Sequence, residues 1–372
     1  MKVVFLSNYF NHHQRFLSDS LAKKCKFTFI ETKKIPDERI KLGWGGSSVP
    51  DYVMNYDNQK EDCDKLISEA DVVLYGSAPH NIIKNRLKAK KLVIRYSERI
   101  YKTPLKWYMY PYRLLDFFMK WGRYKSAYLF CASAYAYSDY IKTGTFRNKA
   151  FKWGYFPECK KYENVDALIE QKQKNSILWC ARFIGLKHPE FALELAKKLK
   201  NDGYKFTLNM IGIGELYDEI AKKIKEAGLE NEVKLLGSMK PDEVRQHMEK
   251  NEIFIATSDR NEGWGAVLNE AMNSACAVVS NSIIGSAPYL IENGVNGLLY
   301  HNDKNSDELT EKVKLLLDDK NARKEYSKKA YETIVNEWNA ENAADKFIAL
   351  AKVISSKEKN IYIFEKGVCS RG

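Results

Sequence analysis

Residues 258–281 read SDRNEGWGAVLNEAMNSACAVVSN, and this stretch decides the fold. It ends the apolar run IFIATS, passes through a polar turn, and continues as a helix from about Gly265. A second apolar run, CAVVSNS, follows that helix. Strand, turn, helix and strand in this order form one unit of a parallel sheet, so the stretch predicts an α/β domain.

The same alternation runs through the chain. In the second half the further strand candidates are SILWCAR, KFTLNMIG and VKLLGS. In the first half they are KVVFLSN, KFTFIET, DVVLYG, KLVIRY and YLFCAS, and KAFKWGYFP then closes this half. A chain of 372 residues is too long for one ordinary core. We therefore predict two doubly wound, Rossmann-like α/β domains facing a central cleft, with a helical C-terminal tail. The predicted ranges are 1–165, 166–340 and 341–372, the last packing back toward the N-terminal domain.

The amino-acid composition limits the kinds of partner and the cellular compartment that we expect for this protein. The formal charge of +12 favours an anionic partner, such as nucleotide phosphates, a lipid surface or nucleic acid. The seven cysteines are scattered and none forms a C-x-x-C pair, so no disulfide framework or zinc site is predicted and a reducing cytoplasm is favoured. No signal peptide is evident, and no apolar run approaches the roughly 18–20 residues that span a bilayer. The protein is expected to be soluble, or at most to lie on a membrane surface.

Two carboxylates accompany the turn and helix of the opening stretch. Gly263 and Gly265 lack Cβ atoms where a ligand would approach the backbone, and the helix start suits a phosphate. Glu262 lies just before the helix, and Glu270 lies inside it with a side chain that leans back toward its start. Such carboxylates could accept hydrogen bonds from sugar and ribose hydroxyls. On spacing alone, both could equally be solvated surface residues.

Two cations follow the first strand of the same half, in ARFIGLKHPE. Arg182 and Lys187 lie on the loop between strand and helix, where they could clasp a diphosphate. Taken singly, either could be an ordinary surface charge of a basic protein. Their position at a strand's carboxyl end favours a binding role.

These segments carry a resemblance to a known family. EGWGAVLNEAMNSACAVVSN resembles the E-x-F-G-x-x-x-x-E-A-M-A-x-G-x-P-V-V-A signature of glycosyltransferase family 4, which are retaining enzymes of GT-B fold. CARFIGLKHPE is similar to the family's G-R-(x)n-K-G segment, and NMIGIGEL to its I-x-G-x-G segment. LLGSMKPDEV is similar to a fourth motif. The resemblance covers about 176–335, with Trp264 in place of the usual Phe and Ala277 in place of Pro.

The resemblance implies roles for the matching positions. Arg182 and Lys187 would neutralise the donor diphosphate, Glu262 would hold donor-sugar hydroxyls, and Glu270 would hold the ribose. The remaining donor-binding positions implied by the resemblance are Gly212, Gly214, Met239, Gly263, Trp264, Gly265, Ala266 and Val267.

The first half matches the family less well. Its first strand is followed by SNYFNHHQRF, without the paired glycines that many family members have there. His12 and His13 could meet the acceptor or donor sugar, or could belong to a polar loop that caps a helix. Glu98 follows the fourth strand candidate and is a further acceptor-side candidate.

Two other signals carry less weight. Gly212–Ile213–Gly214 lacks the third glycine of a dinucleotide motif. Asp62–Cys63–Asp64 matches a metal-binding D-x-D pattern but lies in a polar, helix-like stretch, so no metal site is predicted.

Residues 95–125 mix ten aromatic residues with eight Lys or Arg and two acids. This composition suits an anionic membrane interface, and it would also suit single-stranded nucleic acid or a helix packed on the first sheet. The membrane is favoured because many members of the resembled family glycosylate lipid-linked acceptors.

The sequence thus predicts a metal-independent retaining glycosyltransferase that needs no cofactor. It would move a sugar from a nucleotide-diphosphate donor, with a UDP-sugar favoured, to a sugar or lipid-linked acceptor in surface-polysaccharide assembly. It would be cytoplasmic and peripheral at the inner face of the membrane, without nucleic acid as a partner. The alternatives are a nucleotide-sugar epimerase of the same fold and a non-catalytic protein that binds anions or nucleic acid.

Overall fold

The structure is a computed structural model that describes residues 1–36, 48–103, 106–301, 304–356, 358 and 360–372. The chain divides into two compact units. The first contains Met1–Glu158 and Trp338–Gly372, and the second contains Cys159–Glu337. The predicted boundaries at 165 and 340 thus lie a few residues beyond the places where the chain passes from one unit to the other.

The first unit is built on a parallel sheet of seven strands in the described residues. The strands are β1 (Lys2–Ser7), β2 (Lys26–Glu31), β3 (Val53–Asn55), β4 (Val72–Tyr75), β5 (Leu92–Ser97), β6 (Ala127–Cys131) and β7 (Ala150–Lys152). The helices before the second unit are α1 (His12–Lys24), α2 (Lys60–Glu69), α3 (Asn81–Lys88), α4 (Tyr110–Phe117) and α5 (Ala136–Ile141). The spatial order β3-β2-β1-β4-β5-β6-β7 is doubly wound, because the chain reverses direction across the sheet between β1 and β4.

The second unit repeats this plan with six described strands. They are β8 (Gln173–Cys180), β9 (Thr207–Ile211), β10 (Val233–Gly237), β11 (Asn251–Ala256), β12 (Ala277–Asn281) and β13 (Leu298–Tyr300). The helices are α6 (Val165–Glu170), α7 (Pro189–Asn201), α8 (Tyr217–Glu226), α9 (Pro241–Lys250), α10 (Val267–Asn273), α11 (Ala287–Leu290), α12 (Asp307–Asp318) and α13 (Lys320–Asn336). The order β10-β9-β8-β11-β12-β13 reverses between β8 and β11.

The chain ends in the first unit. Helix α14 (Ala340–Ser355) packs beside α1, where Lys24 and Asp345 form an ion pair of 2.7 Å. Beyond it, the Lys152 amide donates to the Ser370 carbonyl at 2.8 Å, so the tail lies along the edge strand β7. No helix among the described residues is both long enough and apolar enough to cross a bilayer.

The sequence-based strands all have counterparts in the structure, and the predicted doubly wound plan is correct for both units. The additional strands β3, β7 and β13 were not among the predicted strands. Each has three residues and lies at the edge of its sheet, so none of them produces the long buried apolar run that marks a central parallel strand.

The buried ammonium group of Lys172 links α9, α10 and β11 in the second unit. Lys172 immediately precedes β8, and its Nζ donates to the carbonyls of Met248, Glu249, Asn251 and Ser274 at 2.8–3.1 Å. These carbonyls belong to the ends of α9 and α10 and to the start of β11. Helix C-termini present unsatisfied carbonyls and a partial negative charge, so one cation satisfies several acceptors at once. The position of α10 therefore depends on Lys172.

Replacing Lys172 by Met should leave these carbonyls without a donor in a dry environment. The melting temperature of the second unit should fall by on the order of 10 °C, since each unsatisfied buried acceptor costs about 1–3 kcal/mol. Scanning calorimetry would measure the shift. Lys174→Met, at an exposed position two residues later, is the matched control and should leave the transition in place. Equal melting of the two variants would show that Lys172 is not a principal support.

Candidate active site

The carboxyl ends of β8 and β11 adjoin at the point where the strand order of the second unit reverses, which is where doubly wound sheets bind ligands. The loops that leave these two strands are hydrogen-bonded to each other. Thr257 Oγ1 donates to the Lys187 carbonyl at 2.6 Å and accepts from Trp179 Nε1 at 2.8 Å. The Asp259 amide donates to the Leu186 carbonyl at 2.9 Å. The backbone of the Lys187 loop is therefore fixed against the loop that carries Glu262.

Lys187 and Glu262 meet directly in an ion pair between Nζ and Oε2. Their side chains are only 14% and 16% exposed, so water screens the pair weakly. Gly265 and Val267 line the same small pocket. The structure thus brings together four of the residues that the sequence proposed for donor binding, and places a cation and a carboxylate in contact at the centre.

Gly265 is required by the shape of the turn before α10. Its φ of +84° lies in the left-handed region, and a Cβ there would stand 2.9 Å from Ile284 Cγ2. The helix begins at Val267, with Ala266 as its N-cap, rather than at Gly265 as the sequence suggested. Lys187 supplies the full positive charge in the described lining of this pocket.

Trp264 was proposed to bind substrate, and the structure corrects this for its side chain. The indole is 1% exposed, and its Nε1 donates to Asn269 Oδ1 at 2.8 Å. The backbone carbonyl accepts from the Ser286 amide at 3.0 Å. The ring therefore supports the turn from beneath instead of lining the pocket.

Glu270 projects toward the same edge of the sheet as Lys187. Burial first, and the Glu270 carboxylate second, raise the pKa of the Cys180 thiol to about 12, with the Lys187 ammonium opposing them. Both charges therefore act on one thiol at the end of β8. Cys180 was not singled out from the sequence, since an isolated cysteine at a strand end carries no recognisable motif.

The other predicted donor positions surround this centre. Gly212 and Gly214 follow β9, and a Cβ on either would overlap the carbonyl oxygen of Ala181 or Phe183, respectively. Both glycines are therefore needed for the close approach of the β9 loop to the β8 loop. Met239 is half-buried just after β10. Arg182 also lies on the β8 loop, but its side chain is exposed and the structure does not place it in the Lys187–Glu262 contact.

His188 is a functional candidate that sequence analysis missed. It has φ +47° and ψ +57°, a left-handed conformation uncommon for a residue with a Cβ. Its Nδ1 lies 2.6 Å from Glu190 Oε1, its Nε2 lies 3.7 Å from Asp259 Oδ2, and its ring stacks on Phe191. The imidazole thus joins the Lys187 loop to the Glu262 loop. The available signal was the substitution of His for the glycine of the K-G motif.

We call the contacts of the His188 imidazole with Glu190 and Asp259 the His188 clamp, and this clamp should depend on pH. Glu190 in particular, and Asp259 in addition, raise the pKa of His188 above its ordinary 6.5, although burial opposes them. The stabilisation is therefore fully present below pH 6.5 and is lost as pH rises through the raised pKa. On the other side of the contact, the pKa of Glu190 is lowered: burial opposes the shift, and His188 and, less strongly, Lys223 favour it.

We expect the melting temperature of the parent to fall, relative to His188→Gly, as pH is raised from about 6 to 9. Differential scanning fluorimetry across this range would measure the difference. Glu190→Gln should show a reduced pH dependence, because it removes the main cause of the raised pKa. Parallel curves for the parent and His188→Gly would contradict the clamp.

The predicted acceptor-side residues lie in the first unit. His13, Glu98 and Tyr155 line a polar pocket of about 350 Å³ at the carboxyl ends of β1, β4 and β5. Tyr155 Oη donates to Glu98 Oε1 at 2.9 Å, and the Tyr155 ring lies 5.7 Å from that of His13. Arg95 and Arg99 also line the pocket and were not singled out from the sequence.

His12 has a different environment from His13. Asn11 caps α1 by accepting from the His13 amide at 2.9 Å, so both histidines lie in the first turn of that helix. The rings of His12 and His13 are 3.9 Å apart, and burial lowers the pKa of His12. His12 is therefore neutral at pH 7 and borders the pocket through His13.

The D-x-D pattern lies on α2, away from these pockets. Cys63 is buried, and Asp64 accepts from Tyr56 Oη at 2.8 Å. Across the described ranges, no group of three His, Cys, Asp or Glu side chains is arranged to hold a metal ion.

Residues 107–119 form an exposed aromatic segment, built from a short 3₁₀ turn (Trp107–Met109), α4 and the start of the π-helix Phe118–Gly122. Trp107 is 83% exposed and Leu115 63%. The other exposed large apolar residues of the segment are Tyr108, Tyr112, Leu114, Phe118 and Met119. Trp121, just after it, is buried in the core of the first unit. Most of the segment's apolar side chains therefore face outward rather than packing on the sheet.

Two parallel, doubly wound sheets of seven and six strands define an α/β fold of the GT-B type. Over 96% of this chain and 100% of its own, Anabaena HepE in complex with UDP is similar with a TM-score of 0.70 and 16% identity. WaaG, a glycosyltransferase involved in lipopolysaccharide biosynthesis, is similar over 92% of this chain and 98% of its own, with a TM-score of 0.63 and 16% identity. At these identities the likeness establishes the fold.

The match to a family model falls within the second unit. Residues 161–333 match the family model described as glycosyl transferases group 1. Amylovoran biosynthesis glycosyltransferase AmsK of Erwinia amylovora is 33% identical over 153 residues, which are 40% of this chain and 37% of AmsK. Poly(ribitol-phosphate) alpha-N-acetylglucosaminyltransferase of Staphylococcus aureus is 28% identical over 172 residues, 46% of this chain and 34% of that protein. The chain thus spans about a third of the length of these relatives.

Proposed function

We propose that this protein is a retaining glycosyltransferase, related to family 4, that transfers a sugar from a nucleoside-diphosphate donor to an acceptor hydroxyl. The observation that carries the proposal is the contact of Lys187 with Glu262 beside Gly265. It lies at the ligand-binding edge of a unit whose sequence matches group 1 glycosyl transferases.

The chemistry follows from where negative charge develops. As the bond between sugar and diphosphate breaks, charge grows on the departing phosphate, and a fixed cation in a partly dry pocket stabilises that charge. Lys187 supplies this cation, and the hydrogen bonds to its backbone keep it in place. Arg182, exposed on the same loop, adds positive potential nearby.

The ion pair also explains how Glu262 becomes available. The diphosphate would compete with Glu262 for the Lys187 ammonium, since both are anions seeking one cation. Once displaced, the Glu262 carboxylate can accept hydrogen bonds from donor-sugar hydroxyls, and Glu270 can accept from the ribose. Donor binding would thereby exchange one anionic partner of Lys187 for another, and the sugar hydroxyls would satisfy the released Glu262 carboxylate by hydrogen bonds.

The polar pocket of the first unit is the proposed acceptor site. Glu98, held by Tyr155, can accept a hydrogen bond from an acceptor hydroxyl, and His13 offers a second polar group in the same pocket. Sugar hydroxyls require donors and acceptors in close array, which this lining provides.

The identity of donor and acceptor is supported by the relatives. HepE is known in complex with UDP, so a UDP-sugar is the proposed donor. AmsK acts in amylovoran biosynthesis, and a 35%-identical Campylobacter jejuni transferase, matched over 36% of this chain, is named for a diphospho-undecaprenol acceptor. We therefore place the activity in surface-polysaccharide assembly, with a sugar or lipid-linked sugar as acceptor and without a divalent metal or cofactor.

The proposal is tested first by ligand binding and turnover. UDP should raise the melting temperature more than GDP or ADP, because a ligand that binds the folded state stabilises it by mass action. Transfer from a UDP-sugar to saccharide acceptors should continue in EDTA. An epimerase would convert the donor without any acceptor, and that result would replace the transferase by the alternative function.

We expect Lys187→Met to lower kcat by about 10²–10³-fold with a milder change in KM, because the ammonium acts mainly on charge formed in the transition state. Glu262→Gln should bind free UDP at least as tightly as the parent, since it removes the competing carboxylate, yet should use the intact donor poorly. Steady-state kinetics and calorimetry would measure both. Lys197→Met, at an exposed position on α7, is the matched control. Parental turnover by Lys187→Met would refute this mechanism.

We further propose that the protein is peripheral at the inner, cytoplasmic face of an anionic membrane. The exposed aromatic segment supports this, since rings and apolar side chains favour the membrane interface. Lys106, Lys120 and Arg123 flank it and would face anionic headgroups.

Replacing Trp107 and Leu115 by Ser should weaken binding to phosphatidylcholine vesicles that contain phosphatidylglycerol by about tenfold or more, because two large apolar side chains leave the interface. Flotation assays would measure binding. Ile213 and Leu315, exposed apolar residues of the second unit, provide the matched double Ser control. If the parent does not float with these vesicles, or binds single-stranded nucleic acid instead, the membrane proposal is wrong.

A further inference from the structure

A second large groove lies in the first unit, at the edge of the sheet opposite the acceptor pocket. It encloses about 1400 Å³ beside the residues that precede β1, β4, β5 and β6 and beside the end of α14. We call it the amino-end groove. Because the acceptor pocket lies at the carboxyl ends of the same strands, nothing in the proposed transfer reaction uses this groove.

The amino-end groove is strongly cationic. Six basic side chains line it, and they are Lys88, Lys90, Lys91, Arg123, Lys125 and Lys352. Its two acids are already engaged. Asp71 Oδ2 accepts from the Lys2 amide at 2.7 Å, and Glu69 pairs with Lys2 Nζ at 3.3 Å.

Among the described residues, the positive charge of the groove is only partly neutralised. Within the described part of the chain, Lys88, Lys90, Lys125 and Lys352 make no ion pair. The adjoining Lys149 responds to this crowding, because burial first and Lys125 second lower its pKa. A ligand that brings negative charge would therefore relieve repulsion among groups that the fold holds close together.

The floor of the groove is apolar, and one wall reaches the exposed aromatic segment. Leu87, Leu92 and Ile354 are buried side chains of its lining. Arg123 connects the two surfaces, since its Nη1 lies 3.9 Å from Met119 Sδ of the segment and its Nη2 donates to Tyr124 Oη at 2.6 Å in the groove. One ligand can therefore place an anion beside the lysines and apolar atoms on the floor of the groove. The exposed aromatic segment can be covered at the same time by the surface from which that ligand comes.

We infer that the amino-end groove binds the phosphodiester headgroup of an anionic phospholipid when the aromatic segment enters the membrane interface. The inference rests on the membrane association proposed above and adds a defined lipid site to it. A free nucleotide or inorganic phosphate would satisfy the cations, but neither would account for the apolar floor or for the continuity with the segment.

The test uses the full chain and three groove substitutions, Lys90→Gln, Lys125→Gln and Lys352→Gln, combined in one variant. The matched control carries Lys174→Gln, Lys197→Gln and Lys225→Gln, which remove the same charge from exposed positions of the second unit. Both variants should melt like the parent and bind UDP like it. Flotation with phosphatidylcholine vesicles, with and without phosphatidylglycerol, measures membrane binding. Calorimetric titration with a soluble short-chain phosphatidylglycerol, or with inorganic phosphate, measures the site itself.

We expect the groove variant to lose about 100-fold in affinity for phosphatidylglycerol vesicles, as each of the three cations near an anionic surface contributes about 1 kcal/mol and about 1.4 kcal/mol is tenfold. It should also lose saturable binding of the short-chain lipid, and the control should keep both. If the parent and both variants bind these vesicles equally, the groove has no lipid role although membrane association stands. If the parent does not bind them at all, membrane association fails as well. Binding of inorganic phosphate without the short-chain lipid would overturn the lipid assignment.

Discussion

The contact between Lys187 and Glu262 organises the second unit. It requires two loops from neighbouring strands to approach closely, and most of the unusual local structure serves that approach. Gly265 turns the chain where a Cβ would strike Ile284, and Gly212 and Gly214 let the β9 loop close on the β8 loop. Lys172 donates to the Ser274 carbonyl at the far end of α10 and so anchors that end of the helix. The turn at Gly265 and the contact with Lys172 thus fix the two ends of α10, the short helix beside which the charges of the site lie.

Much of this could be predicted from sequence, because the signals are local. Apolar runs and helical periods locate the central strands, and the spacing of Lys187, Glu262, Gly265 and Glu270 relative to strand ends brings them to one edge. Trp264 could not be assigned in this way, since a ring beside two glycines can line a pocket or lie beneath it, and only packing against Asn269 and Ser286 decides. Short edge strands leave no periodic signal in the sequence. Long-range hydrogen bonds, such as the one that Tyr155 donates to Glu98, leave none either.

The two units use the same architecture for different tasks. In the second, charge is concentrated in a narrow pocket and paired. In the first, the carboxyl edge is a wider polar pocket of hydroxyl, imidazole and carboxylate groups, and the amino edge gathers six basic side chains. A doubly wound sheet permits this division because the loops at its two edges vary independently of its buried strands.

The left-handed backbone of His188 constrains how the sequence of this protein can change. A glycine would adopt that conformation without strain. For the histidine, the contacts of its side chain with Glu190 and Asp259 offset the strain of the backbone. If either carboxylate is lost first, His188 keeps its backbone strain and loses part of the contact that offsets it. If His188 changes to glycine first, the sequence at positions 190 and 259 is no longer constrained by this contact. The three positions should therefore be epistatic. Among homologous chains, the acidic pair should accompany the histidine and become variable where glycine takes its place.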